Sequence, residues 1–600
     1  MPDGRTVVRA RHHVIAAGHD LATQAGLEIL EAGGNAVDAG VAAGIALAVV
    51  HSDLVNFAGV APIMIHMATT GETVTIDGLG VWPKAASVAF FEREYGGAIP
   101  EGLLRTVVPA APAAWIAALA RFGTMRFGEV AHHAVRYARE GFPVYPLFAQ
   151  FIMDNEAAYR RTPANARIYL PDGRPPRVGE TFVQSDLAAT IQYMIDEERA
   201  AGGDRRSGLK AARDAFYRGD IAARICDYHI AHGGFLRRDD MAHYDVRFEP
   251  PLRIRVGDTE LLTCGPWCQG ITLAQAFRML NGINIAALGH NSADYVHALT
   301  EVFKLAFADR EAHVADPAVV DVPTSGLLDP AYLAARRRLI DPARAFPEMP
   351  PAGDPWTGAA LAAGPSQVAA PRTATSATDP HDTVPRDSRP RAMNAEPGWR
   401  VSDPPSADTS HVAVIDKAGN MFSATPSDTS ADTEVIPGTG LCPSSRGSQS
   451  YGIGHSLNAL APGKRPRMTP NPAMALQGGE PFLAFGTPGG DVQIQALVQV
   501  YMNARVFAMD LQSAVEAPRF ATYSFPSSFA PNAYHPGLLM IEEGIPDDVF
   551  DDLRARGHDA QRWPARIWKA GGVLMVQRDA QTGGLIAGAD PRRAGTARGR

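Results

Sequence analysis

Cysteine is scarce, with four in 600 residues. So few thiols in so long a chain make no disulfide framework. Cys264 and Cys268 are spaced C-x3-C, which is neither a redox C-x-x-C pair nor a zinc knuckle, and they read as buried structural thiols. Positive charge is not in excess either. The net charge is −8 and no basic patch or recognition motif stands out, so no nucleic-acid partner is expected. Long apolar runs are missing. Val41 to Val50 is far too short to span a bilayer, so no membrane partner is expected. The start, Met1 to Ala17, carries arginines but no apolar run ahead of a cleavage site, which leaves a cytoplasmic protein as the expectation. The adjacent pairs His12-His13 and His132-His133 have neighbouring side chains that face different ways, which argues against joint metal ligation. No cofactor and no metal are expected, and no internal repeat is visible.

What is present is an ordinary soluble composition, 46% hydrophobic and 20% charged. Val14 to His19 reads as an opening strand, with Asp20 as the cap of a helix from Leu21 to Glu31. Gly33-Gly34-Asn35 ends that helix, and Ala36 to Val50, apolar almost all round, reads as a buried one. Pro62 to Met67 and Thr73 to Asp77 form a strand pair around Thr69-Thr70-Gly71-Glu72. Helical periodicity recurs over Pro109 to Arg121, Phe127 to Glu140, much of Leu187 to Tyr244, and from a Ser292 cap to Arg310. Leu252 to Val256, Glu260 to Thr263 and Pro481 to Phe485 read as strands, the last followed by Gly486-Thr487-Pro488-Gly489-Gly490 and a helix capped by Asp491. A strand, a glycine turn and a helix N-terminus aim backbone N–H groups at one point. Periodicity thus gives a mixed α and β chain.

Residues 351–408 differ from the rest. Pro, Ala, Thr, Ser and Asp dominate, and too little apolar surface is available to offset the entropy of ordering, so the segment reads as disordered. It ends at Ala407-Asp408-Thr409-Ser410-His411, where an apolar strand, His411 to Ile415, begins. Asp416 to Asn420 is a turn, and Met421 to Thr425 the returning strand. Thr409 stands where the polar segment meets the strand. A threonine hydroxyl is a weak nucleophile that needs an adjacent base. Cleavage of the Asp408–Thr409 bond would place a free α-amine, with an ordinary pKa of about 7.7–8.0, on the same residue. One cut would create nucleophile and base together.

Thr409-Ser410-His411, the strand after it and Asp416-Lys417-Ala418-Gly419-Asn420 resemble the start of the small subunit in the γ-glutamyltransferase family of N-terminal-nucleophile hydrolases. Ala22-Thr23-Gln24-Ala25-Gly26 through Gly33-Gly34-Asn35-Ala36-Val37-Asp38-Ala39 resembles the opening of that family's large subunit. Glu301-x-x-Lys304-Leu305-Ala306-x-Ala308-Asp309-Arg310 and Gly486-Thr487-Pro488-Gly489-Gly490 are further matches. The resemblance covers nearly the whole chain outside the disordered segment. It implies an αββα sandwich, α/β (α+β) in class, self-processed into a large-subunit part, residues 1–350, and a small-subunit part, residues 409–600, with the segment 351–408 ending at the cut. It implies Thr409 as nucleophile, Ser427 as the second hydroxyl where the family has threonine, and an oxyanion hole at Gly489 and Gly490. It implies a small-molecule amide as substrate, water or an amine as acceptor, and the two subunits of one precursor as partners, with a dimer of that pair as a further expectation.

The substrate contacts depart from the glutamyl enzymes. Pro83-Lys84-Ala85-Ala86-Ser87-Val88 lacks the arginine that the family uses for the glutamyl α-carboxylate, and Met468-Thr469 stands where a Ser-Ser pair is usual. Lysine cannot copy the bidentate fork of arginine. The basic loop Pro462-Gly463-Lys464-Arg465-Pro466-Arg467 with Thr469 looks more like the acylase and amidase branch. Thr429 aligns with a substrate-contacting asparagine, and Arg446 or Arg467 is a candidate replacement anchor. The primary expectation is an amide hydrolase or acyltransferase with a non-standard acyl group. A true γ-glutamyltransferase with a rebuilt carboxylate site and an unprocessed non-catalytic homologue are the alternatives.

Overall fold

A computed structural model describes residues 5–361, 409–579 and 581–600. Its centre is two seven-stranded sheets stacked face to face. One sheet runs Thr596–Gly599, Val14–Ala17, Val412–Ile415, Met421–Ala424, Ile63–Met67, Glu72–Ile76, Phe248–Glu249, all neighbours antiparallel. The other runs Val8–Ala10, Leu585–Ala589, Leu574–Arg578, Glu480–Gly486, Ala473–Gln477, Thr259–Thr263, Leu252–Val256.

Strand periodicity explains the layering. In Val412–Ile415, Val412 and Val414 face one way, into a cluster with the helix Ala36–Val50, while Ala413 and Ile415 face the other sheet. A strand buried on both faces must be apolar at every position, and all four residues are fully buried. Helices Asp20–Glu31, Ala36–Val50 and Phe127–Glu140 cover the outer face of the first sheet. Helices Gly270–Leu280, Ala293–His313 and Gln493–Arg505 cover the second. Three apolar layers result: helix on sheet, sheet on sheet, sheet on helix. This is the αββα sandwich expected.

Local details differ from the reading of the sequence. The first helix is capped by His19, whose Nδ1 accepts from Leu21 N at 3.1 Å, while Asp20 lies inside the first turn and meets Arg598 at 2.9 Å. Asp491 does not cap its helix; the chain makes a short 3-10 turn, Gly490–Val492, and the α-helix starts at Gln493. Residues 351–361, expected as disordered, are held by buried side chains. Asp309 Oδ1 accepts from Gly353 N at 3.0 Å, and Arg336 Nη1 donates to Pro351 O at 2.9 Å and Ala360 O at 2.8 Å. The remainder of that segment, 362–408, lies outside the described residues. No helix among the described residues is long and apolar enough to cross a membrane.

Candidate active site

Thr409 sits where the chain joins the first sheet. It faces Ser427 across an antiparallel bridge, and Ser410 N donates to Pro426 O at 2.9 Å. Thr409 Oγ1 and Ser427 Oγ are 2.7 Å apart, and both residues are fully buried. Ser427 is fixed from behind by Val60, whose carbonyl accepts Ser427 N at 2.9 Å. Gly59 makes that approach possible, because a Cβ there would lie 2.4 Å from Ser427 O and 2.9 Å from Asn56 O.

Ser427 Oγ also accepts from Arg446 Nη2. A guanidinium only donates, so the serine hydroxyl is polarised by a full positive charge. Arg446 is buried, its Nε lies 3.4 Å from Asp428 Oδ1, and its Cζ stands 5.3 Å from the centre of the Phe529 ring. Asp428 takes a φ of 112°, a region that non-glycine residues enter at a cost of about 1–3 kcal/mol. Its carboxylate accepts from Ser444 Oγ at 2.6 Å, Ser445 N at 3.0 Å and Ser445 Oγ at 2.9 Å, and Asn56 Nδ2 holds its carbonyl at 2.8 Å. Burial pushes the Asp428 carboxyl above its ordinary range, with Arg446 and the hydroxyls opposing it. The twist at Asp428 sets the directions of its neighbours Ser427 and Thr429.

The second sheet brings the glycine turn to the same place. A Cβ at Gly486 would fall 2.1 Å from the ring of His411, two residues from Thr409, so the strand Glu480–Gly486 ends directly over the start of Val412–Ile415. Beyond it Gly489 and Gly490 have φ values of 123° and 55°. Their backbone N–H groups donate to nothing among the described residues. Asp491 locks the turn: Arg310 Nη1 lies 2.5 Å from its Oδ1, Ser528 Oγ donates to Oδ1 at 2.7 Å, and Ser528 N donates to Oδ2 at 2.8 Å. His411 Nδ1 is 3.1 Å from Thr425 Oγ1, and complete burial pushes its ring down to about 3. At neutral pH it is an uncharged spacer between the sheets.

Beside this group opens a pocket of about 250 Å³. Thr429, expected at the substrate, lines it. Arg446 and Arg467, the candidate carboxylate anchors, do not. Arg446 lies against Ser427 and Asp428 instead. Arg467 is buried against Glu311 at 2.6 Å and the carbonyls of Arg310 at 3.0 Å and Val314 at 3.3 Å. Thr469 is buried and accepts from Gln449 Nε2 at 3.1 Å, away from the pocket lining. Asp408 lies outside the described residues. Asp428 escaped the sequence reading, though it stands between two residues that reading singled out. Three acids or imidazoles that could hold a metal meet elsewhere among the described residues, at His297, Glu301 and His558. There Lys304 lies 2.7 Å from Glu301, and the ammonium opposes a cation.

A family model described as gamma-glutamyltranspeptidase matches residues 22–599. Among curated relatives, the acylase ACY 1 proenzyme of Pseudomonas sp. (strain SE83) is 33% identical over 582 residues, covering 94% of this chain and 89% of its own. The glutathione hydrolase proenzyme of Bacillus subtilis (strain 168) is 28% identical, covering 98% and 91%. Among solved structures, cephalosporin acylase from Bacillus halodurans superposes with a TM-score of 0.81 at 27% identity, covering 100% of this chain and 98% of that one.

Proposed function

The chain belongs to the gamma-glutamyltranspeptidase family of self-processed hydrolases acting on amide bonds, and on that premise we propose that it cuts itself before Thr409 and then cleaves amides of an acyl group other than γ-glutamyl. The observation that carries this reading is the line Thr409 Oγ1, Ser427 Oγ, Arg446 Nη2, set where the sheet begins, with the strand that leads into the Gly489-Gly490 turn packed at Gly486 against His411.

In self-cleavage, Thr409 Oγ attacks the carbonyl carbon of Asp408, and the Asp408 acyl group moves from nitrogen to oxygen. Water then hydrolyses the ester and leaves Thr409 with a free α-amine. A large and a small subunit of one precursor result. In turnover, the amine takes the Oγ proton as Oγ attacks the substrate carbonyl. The negative charge that develops on the carbonyl oxygen is met by the N–H groups of Gly489 and Gly490, each such donor being typically worth about 10²–10³ in rate. The protonated amine passes its proton to the leaving amine. Water, or an acceptor amine, attacks the acyl-threonine and restores Thr409.

Arg446 acts through Ser427. With its lone pair engaged by the guanidinium, Ser427 presents its own proton to Thr409 Oγ1 and stabilises the alkoxide character of the attacking oxygen. The non-standard acyl group is supported by the absence of arginine around Val88 and by Met468-Thr469. The test is N-terminal sequencing of the purified protein, then rates on γ-glutamyl, glutaryl, oxamyl and short aliphatic anilides. The reading requires a fragment beginning Thr-Ser-His and a γ-glutamyl rate below the best of the others. An active uncut chain, or γ-glutamyl as the fastest substrate, overturns it.

A further inference from the structure

One short loop joins the wall of the pocket to the glycine turn. Residues 527–533 close on themselves: Ser527 N donates to Ala533 O at 2.8 Å, Asn532 Nδ2 to Ser527 O at 2.9 Å, and Asn532 N to Phe529 O at 2.7 Å. A loop whose ends meet and whose interior is bonded in this way holds its shape as a unit. Phe529 and Ala530 line the pocket, and Ala530 N donates at 2.8 Å to the carbonyl of Ser448, which also lines it.

The base of the loop is fastened to the helix Ala293–His313. The ring of Phe525 stacks on that of Phe307 with centres 3.6 Å apart. The Arg310 guanidinium stands 4.4 Å from the Phe307 centre and 5.4 Å from that of Phe525, and its Nη2 donates to Pro526 O at 3.3 Å.

Between this base and Phe529 stands Ser528, which points inward. It is buried, and it donates twice to Asp491: Oγ to Oδ1 at 2.7 Å and N to Oδ2 at 2.8 Å. Gln269 Nε2 and Arg310 Nη1 reach the same Oδ1, each at 2.5 Å. Donors from three separate parts of the chain thus converge on the carboxylate of the residue that follows Gly490. Only a carboxylate offers two accepting oxygens there; an amide would turn an N–H group toward one set of donors. Glycine has little conformational preference of its own, so the φ values of Gly489 and Gly490 are set by the grip on Asp491.

We propose that Ser528 is a positioning residue for the reaction: through Asp491 it directs the N–H groups of Gly489 and Gly490, and it does so from the loop that forms the pocket wall. The proposal rests on the amide-hydrolase reading above. Wall and oxyanion turn are then held in one register. A substrate that pushes Phe529 outward also turns the oxyanion donors, so a poor fit lowers the rate and not only the affinity.

Two measurements on the self-cleaved protein test it: steady-state kinetics on butyryl p-nitroanilide and calorimetric titration with butylboronic acid. In the titration boron accepts a lone pair of Thr409 Oγ, the hydroxyl proton passes to the α-amine, and a boron-bound oxygen takes the place of the oxyanion. Asp491→Asn should lower kcat by about tenfold or more with KM little changed, and should weaken the boronate by a similar factor. Ser528→Ala keeps the backbone donor and loses the hydroxyl, and should do the same several-fold. The double variant should be no slower than Asp491→Asn alone, because Ser528 acts through Asp491. Damage to the fold alone would lower the binding stoichiometry and leave the boronate affinity of the intact fraction unchanged. Should Asp491→Asn fail to fold, Ser528→Ala carries the test. Boronate affinity and kcat untouched by Ser528→Ala, a change confined to KM, strict additivity of the pair, or a wild type that binds no boronate overturns the proposal. Boronate binding without turnover of any anilide would strike the amide-hydrolase reading instead, while the titration still decides on Ser528.

Discussion

Thr409 Oγ1 lies 2.7 Å from Ser427 Oγ, and the same two residues face each other across an antiparallel bridge. The backbone pairing fixes the hydroxyl pairing. The bridge sets the two residues opposite each other, and that brings the two hydroxyls within hydrogen-bond distance.

Thr409→Ala should remain one chain and be inactive, because one hydroxyl serves self-cleavage and turnover. The fold should survive, since the substitution removes two atoms at a site with ample neighbouring packing. Electrophoresis and circular dichroism decide the point. A cleaved Thr409→Ala protein would place the nucleophile elsewhere.

Arg446→Met should slow self-cleavage and turnover together, by roughly 10- to 150-fold, the equivalent of one charge-assisted hydrogen bond of about 1.5–3 kcal/mol. Ser427→Ala should do the same, and combining the two should add little, because they act on Thr409 through one contact. The rate of precursor disappearance on a gel measures this. Strict additivity would mean that Arg446 does not work through Ser427. A rise confined to KM would return Arg446 to the substrate site.

Gly489→Ala should reduce kcat by about 10²–10³ with the chain still folded. An alanine disfavours a φ of 123°, so the turn must rotate and its N–H moves off the oxyanion position. Nearby space is adequate, with the closest heavy atom to a Cβ there at 3.5 Å, so steric collision does not confuse the result. Wild-type kcat in this variant would remove Gly489 from the oxyanion hole.

Stability should fall on mild acidification. Burial pushes His19 down to about 4, and His229 and His411 down to about 3. The unfolded chain takes up a proton at each near 6.5, whereas the folded chain does not, so the unfolded state binds more protons below that pH. The contribution is fully present above about pH 6.5 and is lost as pH falls toward the folded values, each ring adding up to about 1.4 kcal/mol per pH unit. Urea midpoints at pH 7 and pH 5 report this directly. An unchanged midpoint would mean that these rings are charged in the folded chain.

Much of this was legible in the sequence, and the misses have physical causes. Ala36 to Val50 and His411 to Ile415 were readable because burial on all sides demands an unbroken apolar string, and the two helix-forming and strand-forming strings differ in length. Thr409 was readable because composition changes abruptly at it. Asp428 was not, since its role depends on a left-handed backbone and on Ser444 and Ser445, sixteen and seventeen positions away. The same limit hid the fate of Arg467: charge in a basic loop reads as available, and Glu311 is 156 residues distant.

Each sheet is woven from both sides of Thr409. Val412–Ile415 lies between Val14–Ala17 and Met421–Ala424, and the final strand, Thr596–Gly599, pairs with Val14–Ala17 near the beginning of the chain. Cutting before Thr409 therefore cannot produce two bodies that come apart on dilution. Separation would require tearing ladders and stripping two cores, so the fragments part only when everything melts. Activity per molecule should then be independent of protein concentration. The bond before Thr409 is no part of the ladders that keep the finished shape; while intact it acts as scaffolding in time, holding the strands on its two sides at high effective concentration as they interleave.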